Sequence, residues 1–331
     1  MGIIFWIFVF IASLALLVKS ADWVVENSEK IALALKISPF IVAVTIVAIG
    51  TSLPELAFAI AGALKGTPEI VVPNTLGTII ANILLIGGLS AIVARVLIVE
   101  RSLIDLDIPL FAVSMILFIL TMMDKKVVFG EGILLLLAFL IYVLYTVYQR
   151  GETEERLSAE IGISSSRVGR RRKEVKIGNE PERLNLKVFL FLILGIIGLA
   201  VGADYLVESV VKISELLKIS TALITITATA VGTSLPELAV SVGAAAKKKY
   251  EIALGNVFGS NIFDALLVGG LPALISTLPV DSVSFYVGIP FLIATTFMLA
   301  ISGISRKIYI WEGAMYVLLY VLFVAQLFNL F

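Results

Sequence analysis

The sequence predicts an all-α polytopic membrane protein with ten transmembrane helices, arranged as two inverted five-helix repeats. The mean hydropathy is +1.07 and only 15% of the 331 residues are charged, whereas ordinary globular chains contain about 25% charged residues. Apolar runs of about 20 residues recur along the chain, and this length crosses about 30 Å of hydrocarbon. The peptide GTSLPELA occurs twice, as 50–57 and again as 232–239.

The apolar runs define the spans, and one long polar stretch separates the fifth from the sixth. This stretch, 150–186, contains nine Lys or Arg residues and seven Glu residues. We therefore expect a first repeat over 1–149, a cytoplasmic loop over 150–186 and a second repeat over 187–331. The predicted spans are 3–25, 39–64, 70–96, 104–123, 128–148, 187–209, 221–246, 251–276, 283–303 and 309–330.

The two halves are repeats of each other. An offset of 182 residues aligns them without a gap from Ala21 to Leu89, and 32 of these 69 positions are identical. Because five is an odd number, the second half must start from the opposite side of the membrane, as in the inverted repeats of secondary transporters. The distribution of Lys and Arg among the loops favours a cell-membrane protein with a cytoplasmic central loop and both termini outside.

Composition excludes several kinds of site. The chain contains no His and no Cys, so it lacks the imidazole and thiolate ligands that transition metals favour and cannot form a Ser/His/Asp triad. Its formal net charge is zero, which gives no indication of a nucleic-acid partner. Sodium, calcium and magnesium use oxygen ligands, which the chain does have. We expect no cofactor.

The repeated peptide has the chemistry of a cation site. Thr51 and Glu55 lie four residues apart and share a helical face. Pro54 lacks an N–H group and clashes with the preceding turn, so we expect a broken helix that frees carbonyl oxygens. Hydroxyl, carboxylate and carbonyl oxygens together suit a hard cation. With carbonyl donors expected at the two alanines, the candidate ligands are Ala48, Thr51, Ser52, Glu55, Ala230, Thr233, Ser234 and Glu237.

The next span of each half adds polar residues at matched positions. They share a helical face in each half, Thr78 with Asn82 and Ser260 with Asp264. Gly77 and Gly259 are expected to let neighbouring helices approach closely. Three carboxylates in one apolar interior repel each other and are poorly solvated, so we expect a divalent ion, several monovalent ions or protons to neutralise them.

Structural interpretations remain open for some of these residues. Ser and Thr hydroxyls in membrane helices often bond only to their own backbone. Asp22 and Asp204 lie near span ends, where an interfacial or capping role is expected.

At these residues the chain resembles a known family. The doubled G-T-S-L-P-E-L, each copy followed by G-[ST]-x-x-x-[ND], is similar to the alpha-repeats of the calcium/cation antiporter superfamily, and most similar to prokaryotic sodium/calcium exchangers. The resemblance implies a transporter, not an enzyme, that exchanges Na⁺ for Ca²⁺ electrogenically by alternating access, with the first and sixth helices sliding over a fixed core. It implies the ion ligands Ala48, Thr51, Ser52, Glu55, Thr78, Asn82, Ala230, Thr233, Ser234, Glu237, Ser260 and Asp264.

One departure and several alternatives accompany this resemblance. Thr78 stands where serine is usual, and its methyl group is expected to crowd one sodium position. Proton/calcium exchangers of the superfamily typically carry G-N-x-x-E, whereas this chain has Thr-Ser, which favours sodium. A proton-driven or potassium-dependent exchanger of the same fold is the alternative, ahead of a passive channel. The expected partners are Ca²⁺, Na⁺ and the lipid bilayer, and the oligomeric state stays open, a monomer included.

Overall fold

A computed structural model describes residues 2–34, 48–99, 108–160 and 185–328, and these ranges are almost entirely helical. Helices satisfy backbone hydrogen bonds internally, as an apolar chain in a bilayer requires. Each of the ten predicted spans coincides with helical structure over the part of it that is described. The parts at 39–47, 104–107 and 329–330, together with residues 161–184 of the predicted loop, lie outside the described residues.

The described residues of the first half form seven α-helices. They are α1 (Ile3–Ala34), α2 (Ala48–Thr51), α3 (Leu53–Leu64), α4 (Val71–Ala81), α5 (Gly88–Ala94), α6 (Ile108–Thr121) and α7 (Phe129–Glu160). A π-helical turn, Asn82–Gly87, joins α4 to α5, so the two helices form one continuous span. The helix α7 continues to Glu160, beyond the span end predicted at 148, so the first part of the polar stretch extends this helix.

The second half repeats much of this order, with a 3-10 turn, Pro272–Leu274, at the position of α5. Its helices are α8 (Leu186–Leu217), α9 (Thr221–Ile224), α10 (Ala230–Thr233), α11 (Leu235–Ala246), α12 (Tyr250–Phe263), α13 (Ile289–Ile304) and α14 (Ile310–Leu327). Three π-helical turns, Thr225–Thr229, Asp264–Val268 and Ser284–Gly288, interrupt or extend them. The bounds of α10 and α11 are those of α2 and α3 shifted by 182 residues, so the sequence repeat is also a repeat of structure.

Four short strands connect the halves. The strand β1 (Val96–Ile98) pairs antiparallel with β4 (Lys307–Tyr309), and β2 (Lys126–Val127) pairs antiparallel with β3 (Leu278–Pro279). Each pair takes one strand from each half. Because β1 corresponds to β3 and β2 to β4 in the two repeats, exchanging the halves would convert one pair into the other.

The helices divide into an inner and an outer set. Within Pro68–Ala94 and Ile252–Leu274, 78% of an apolar 18-residue stretch is buried, compared with 17% of such a stretch within Ile3–Ser28 and within Leu186–Leu217. The outer helices α1 and α8 pack against each other, with Gly195 and Gly202 of α8 lying against the backbone of α1. Small residues permit such close contact between membrane helices.

The described residues contain fewer full spans than the sequence predicted. Seven helices are long and apolar enough to cross a membrane, and an eighth is counted when α9 to α11, bent by 47°, form one span. The apolar helices α3 and α6 are too short to qualify alone. The helix α6 begins at the first residue of a described range, and so does α2, which precedes α3.

The glycines at 77 and 259 have different environments. A Cβ atom at Gly77 would clash with the carbonyl oxygen of Ile226 and lie 2.8 Å from the Ala230 Cβ, so the close approach predicted there is confirmed. The same expectation for Gly259 is wrong, because among the described residues a Cβ atom there would meet only the Tyr142 hydroxyl, at 3.8 Å. At Gly259 the α12 helix faces the end of a side chain, not a helix backbone.

Gly77→Ala should therefore destabilise the protein, whereas Gly259→Ala should not. Overpacking costs about 1–3 kcal/mol, which exceeds the gain of about 1 kcal/mol expected from replacing a helical glycine by alanine. Thermal unfolding in detergent micelles should show a lower Tm for Gly77→Ala and an unchanged or higher Tm for Gly259→Ala. Equal Tm changes would contradict the packing described here.

Candidate cation site

Each copy of the GTSLPELA peptide breaks its helix at the serine. Ser52 has φ −92° and ψ 12°, and Ser234 has φ −82° and ψ 10°, whereas a regular helix has ψ near −42°. Pro54 and Pro236 lie in the first turn of the helix that follows each break, where a missing N–H group costs nothing. The predicted break is confirmed in both halves.

The two breaks exchange hydrogen bonds. The Ser52 hydroxyl donates to Oε1 of Glu237 at 3.1 Å, and the Ser234 hydroxyl donates to Oε1 of Glu55 at 3.4 Å. Thr51 interacts with Glu237 and Thr233 with Glu55 in the same reciprocal sense. Each half of the chain thus holds the carboxylate of the other half, and residues 182 apart in sequence meet in one place.

The two glutamates are fully enclosed. Glu55 is 0% exposed and Glu237 is 1% exposed. The helix α1 covers both breaks, since a Cβ atom at Gly50 would clash with Val25 and one at Gly232 would lie 2.5 Å from the Leu14 side chain. The glycine that begins each copy of the peptide is therefore needed for α1 to lie against the site.

A second pair of polar groups extends the site. The Asn82 amide donates to Oδ2 of Asp264 at 3.4 Å, and both residues are buried. They occupy matched positions at the starts of the π-helical turns that follow α4 and α12. The wider helical turn offsets the side chains that follow it relative to a regular α-helix.

The matched hydroxyls of α4 and α12 behave differently. The Ser260 hydroxyl donates to the carbonyl oxygen of Asn256 at 2.6 Å, as isolated membrane hydroxyls often do. The Thr78 hydroxyl is buried and has no hydrogen-bond partner among the described residues.

The hydroxyl of Ser234 also donates to the carbonyl oxygen of Ala230 at 2.8 Å, so this predicted carbonyl ligand already accepts a hydrogen bond. Ala48 begins α2, at the position that matches Ala230.

Five buried oxygens of the predicted ligands lack a hydrogen-bond partner among the described residues. They are Oε2 of Glu55, the hydroxyl of Thr78, Oδ1 of Asn82, Oε2 of Glu237 and Oδ1 of Asp264. Leaving one buried polar atom unpaired costs about 1–3 kcal/mol, and more for a charged group. No lysine or arginine of the described ranges forms an ion pair with the three carboxylates. The oxygens fit a bound cation.

The carboxylates alone do not form a compact metal cluster. In the described part of the chain, no group of three or more Asp, Glu, His or Cys side chains is close enough to hold one ion. The charges of Glu55 and Asp264 nevertheless repel that of Glu237. A cation here would use hydroxyl and amide oxygens as well as carboxylates, and such mixed oxygen ligands are usual for Ca²⁺.

Sequence reasoning did not identify three buried asparagines. Asn256 accepts a hydrogen bond from Thr51 at 3.5 Å and donates to Ser241 at 3.0 Å and to the Glu237 carbonyl at 3.4 Å, so it joins the two breaks. Its identity with Asn74 at the 182-residue offset was a signal for it. Asn74 and Asn261 are buried, and neither amide has a partner among the described residues.

The chain is similar over nearly its whole length to known membrane transporters. The profile of the family described as sodium/calcium exchanger protein matches residues 5–148 and 187–329. An uncharacterized membrane protein of Methanocaldococcus jannaschii is 35% identical over 321 residues, covering 96% of each chain. The sodium/calcium exchanger MaX1 of Methanosarcina acetivorans is 33% identical over 347 residues, covering 97% of each.

The fold also matches a solved structure. The sodium-calcium exchanger NCX_Mj, in crystals soaked with Na⁺ and Sr²⁺, superimposes with a TM-score of 0.64 at 31% identity, and the match covers 98% of this chain and 99% of that one. Sequence and fold therefore agree over both halves of the chain. The chain belongs to the sodium/calcium exchanger protein family.

Proposed function

We propose that this protein exchanges Na⁺ for Ca²⁺ across the cell membrane by alternating access. The reciprocal bonding of Glu55 and Glu237 across the repeat, with an unpaired oxygen left on each, is the observation that supports this most directly. Buried, negatively charged oxygens need a cation, and an empty site of this charge should resist moving across the membrane. Exchange follows, because one kind of ion must be bound before the site can turn to the other side.

The proposed ligands are the twelve that the sequence predicts, with Glu55 and Glu237 contacting Ca²⁺ directly and serving Na⁺ as well. The coordinating atoms are hydroxyl, amide, carboxylate and backbone carbonyl oxygens. The set is Ala48, Thr51, Ser52, Glu55, Thr78, Asn82, Ala230, Thr233, Ser234, Glu237, Ser260 and Asp264.

The proposed architecture is ten spans in two inverted repeats over 1–149 and 187–331, with a cytoplasmic loop between them and both termini outside. The matched bounds of α2 with α10 and of α3 with α11 support the repeat. The counterpart of α3 is one half of a bent span, which supports treating α3 as half of a span also. The site then lies near the midplane, where the halves meet.

Calcium flux into reconstituted vesicles tests the exchange. Uptake should require an outward sodium gradient and should stop when that gradient is removed. Uptake driven by a proton gradient, or uptake that needs potassium, would replace the proposal with the proton-driven or potassium-dependent alternative. Uptake without any counter-ion gradient would identify a channel.

Glu55→Gln and Glu237→Gln should each reduce calcium flux to background, because an amide cannot supply the negative charge that a desolvated divalent ion requires. The matched control is Glu215→Gln, which removes a carboxylate from an exposed position of α8 and should leave flux unchanged. Circular dichroism and gel filtration should show that all three variants fold. Normal flux in either site variant would remove that carboxylate from the site.

Asp264→Asn should affect sodium more than calcium. Since Asp264 bonds to Asn82 and not to the two glutamates, its charge is expected to serve a monovalent ion beside the calcium position. Half-maximal activation by sodium should shift by about tenfold, or about 1.4 kcal/mol, with a smaller change in calcium binding. Unchanged sodium activation would make Asp264 a structural residue.

A further inference from the structure

The two outer helices pack unequally on the two repeats. Among the described residues, α8 packs along α3, whereas α1 makes no comparable contact with α11, although these two pairs correspond in the repeats. Phe58 of α3 is fully buried in a cluster with Leu17, Leu206 and Val210. At matched positions of the two helices, Leu53 of α3 is partly buried, whereas Leu235 of α11 is 43% exposed. The structure is therefore tightly packed beside α3 and more open beside α11.

An ion-pair network joins α3 to α8 on the tightly packed side of the structure. Lys65, directly after α3, places its Nζ 2.9 Å from Oδ1 of Asp204 and 4.0 Å from Oε2 of Glu208, both on α8. The same Nζ donates to the carbonyl oxygen of Asp204 at 2.8 Å. These contacts join an inner helix of the first repeat to the outer helix of the second.

All three residues recur in the other repeat. Lys247, Asp22 and Glu26 are identical to Lys65, Asp204 and Glu208 at the 182-residue offset. In this structure they do not form the corresponding network, because Asp22 lies 3.7 Å from Lys19 and Glu26 lies 2.7 Å from Lys30. The acidic residues of α1 thus pair within their own helix.

The lysines on the outer helices also differ in their pairing. Lys30 pairs with Glu26, but its repeat counterpart Lys212 pairs with Glu215 at 2.9 Å, while Glu208 faces Lys65. The glutamate of α1 therefore pairs with a lysine of its own helix, whereas the matched glutamate of α8 faces a lysine at the end of α3.

We infer that Lys65 with Asp204 and Glu208, and Lys247 with Asp22 and Glu26, are two alternating ionic latches. The first latch holds α8 against α3, as in this structure. The second latch forms when α1 packs on α11, and the first latch then opens. The inference rests on the proposed alternating access, and it assigns to Asp22 and Asp204 a conformational role beyond the interfacial one expected from sequence. An exposed ion pair adds little to total stability, but it shifts an equilibrium between two states when only one contains it.

Spin-label distances test the latches directly, because the chain contains no cysteine of its own. One label pair, Leu64→Cys with Leu216→Cys, reports α3 against α8 at positions that are 69% and 47% exposed. The matched pair, Ala246→Cys with Ala34→Cys, reports α11 against α1. In vesicles with equal sodium on both sides, so that the site is loaded and free to turn, Lys65→Gln should lower the population with the α3–α8 distance of this structure by up to about fivefold, and Lys247→Gln should raise it.

Controls separate the latch from general damage. Lys187→Gln removes the same charge from an exposed position at the start of α8 and should shift neither distance. Lys65→Arg keeps the charge and should retain the latch. Shifts in the same direction for Lys65→Gln and Lys247→Gln, or no shift in either, would overturn the latches. Because the distances do not depend on flux, failure of calcium exchange in the unmodified chain would overturn the proposed function separately.

Discussion

The structure depends on two buried carboxylates, each held by a hydroxyl of the opposite repeat. Ser52 donates to Glu237 and Ser234 donates to Glu55. A carboxylate inside an apolar protein is costly unless it is bonded or neutralised, and each hydroxyl satisfies only one of the two oxygens. The breaks at the two serines, the prolines that follow them and the glycines beneath α1 are all needed to bring these four side chains together.

The unpaired oxygens are the main support for the proposed cation site. A buried lysine would neutralise the carboxylates permanently, and no described lysine or arginine does so. A small cation can neutralise them and leave again. The inner helices α4 and α12 are matched and largely buried, whereas the outer helices α1 and α8 pack unequally on the two repeats. The inner helices around the site are thus matched, whereas the packing of the outer helices is not. A transporter that closes alternately on its two sides requires this combination.

Much of this was predictable from sequence, because membrane helices and duplicated motifs leave strong signals. Length and hydropathy predicted the helical segments, and Pro54 beside Glu55 predicted a break. Three features were not predicted: the π-helical turns at Asn82 and Asp264, the pairing of the four short strands, and the continuation of α7 to Glu160. Packing between distant segments decides these features, and local sequence does not. Gly259 was misjudged for the same reason, since a glycine's neighbours cannot be read from its spacing. Asn256 was overlooked although its repeat identity marked it.

The central claim is that Glu55 and Glu237 bind one and the same calcium ion. Calorimetric titration of calcium into the sodium-free protein measures this directly through stoichiometry. If the two glutamates share an ion, the native chain should show a calcium site that Glu55→Gln and Glu237→Gln each eliminate completely, and the double variant should lose nothing further. If either single variant instead kept that site at unchanged affinity, or each lost a different fraction of the bound calcium, the glutamates would serve separate ions and the account would be wrong.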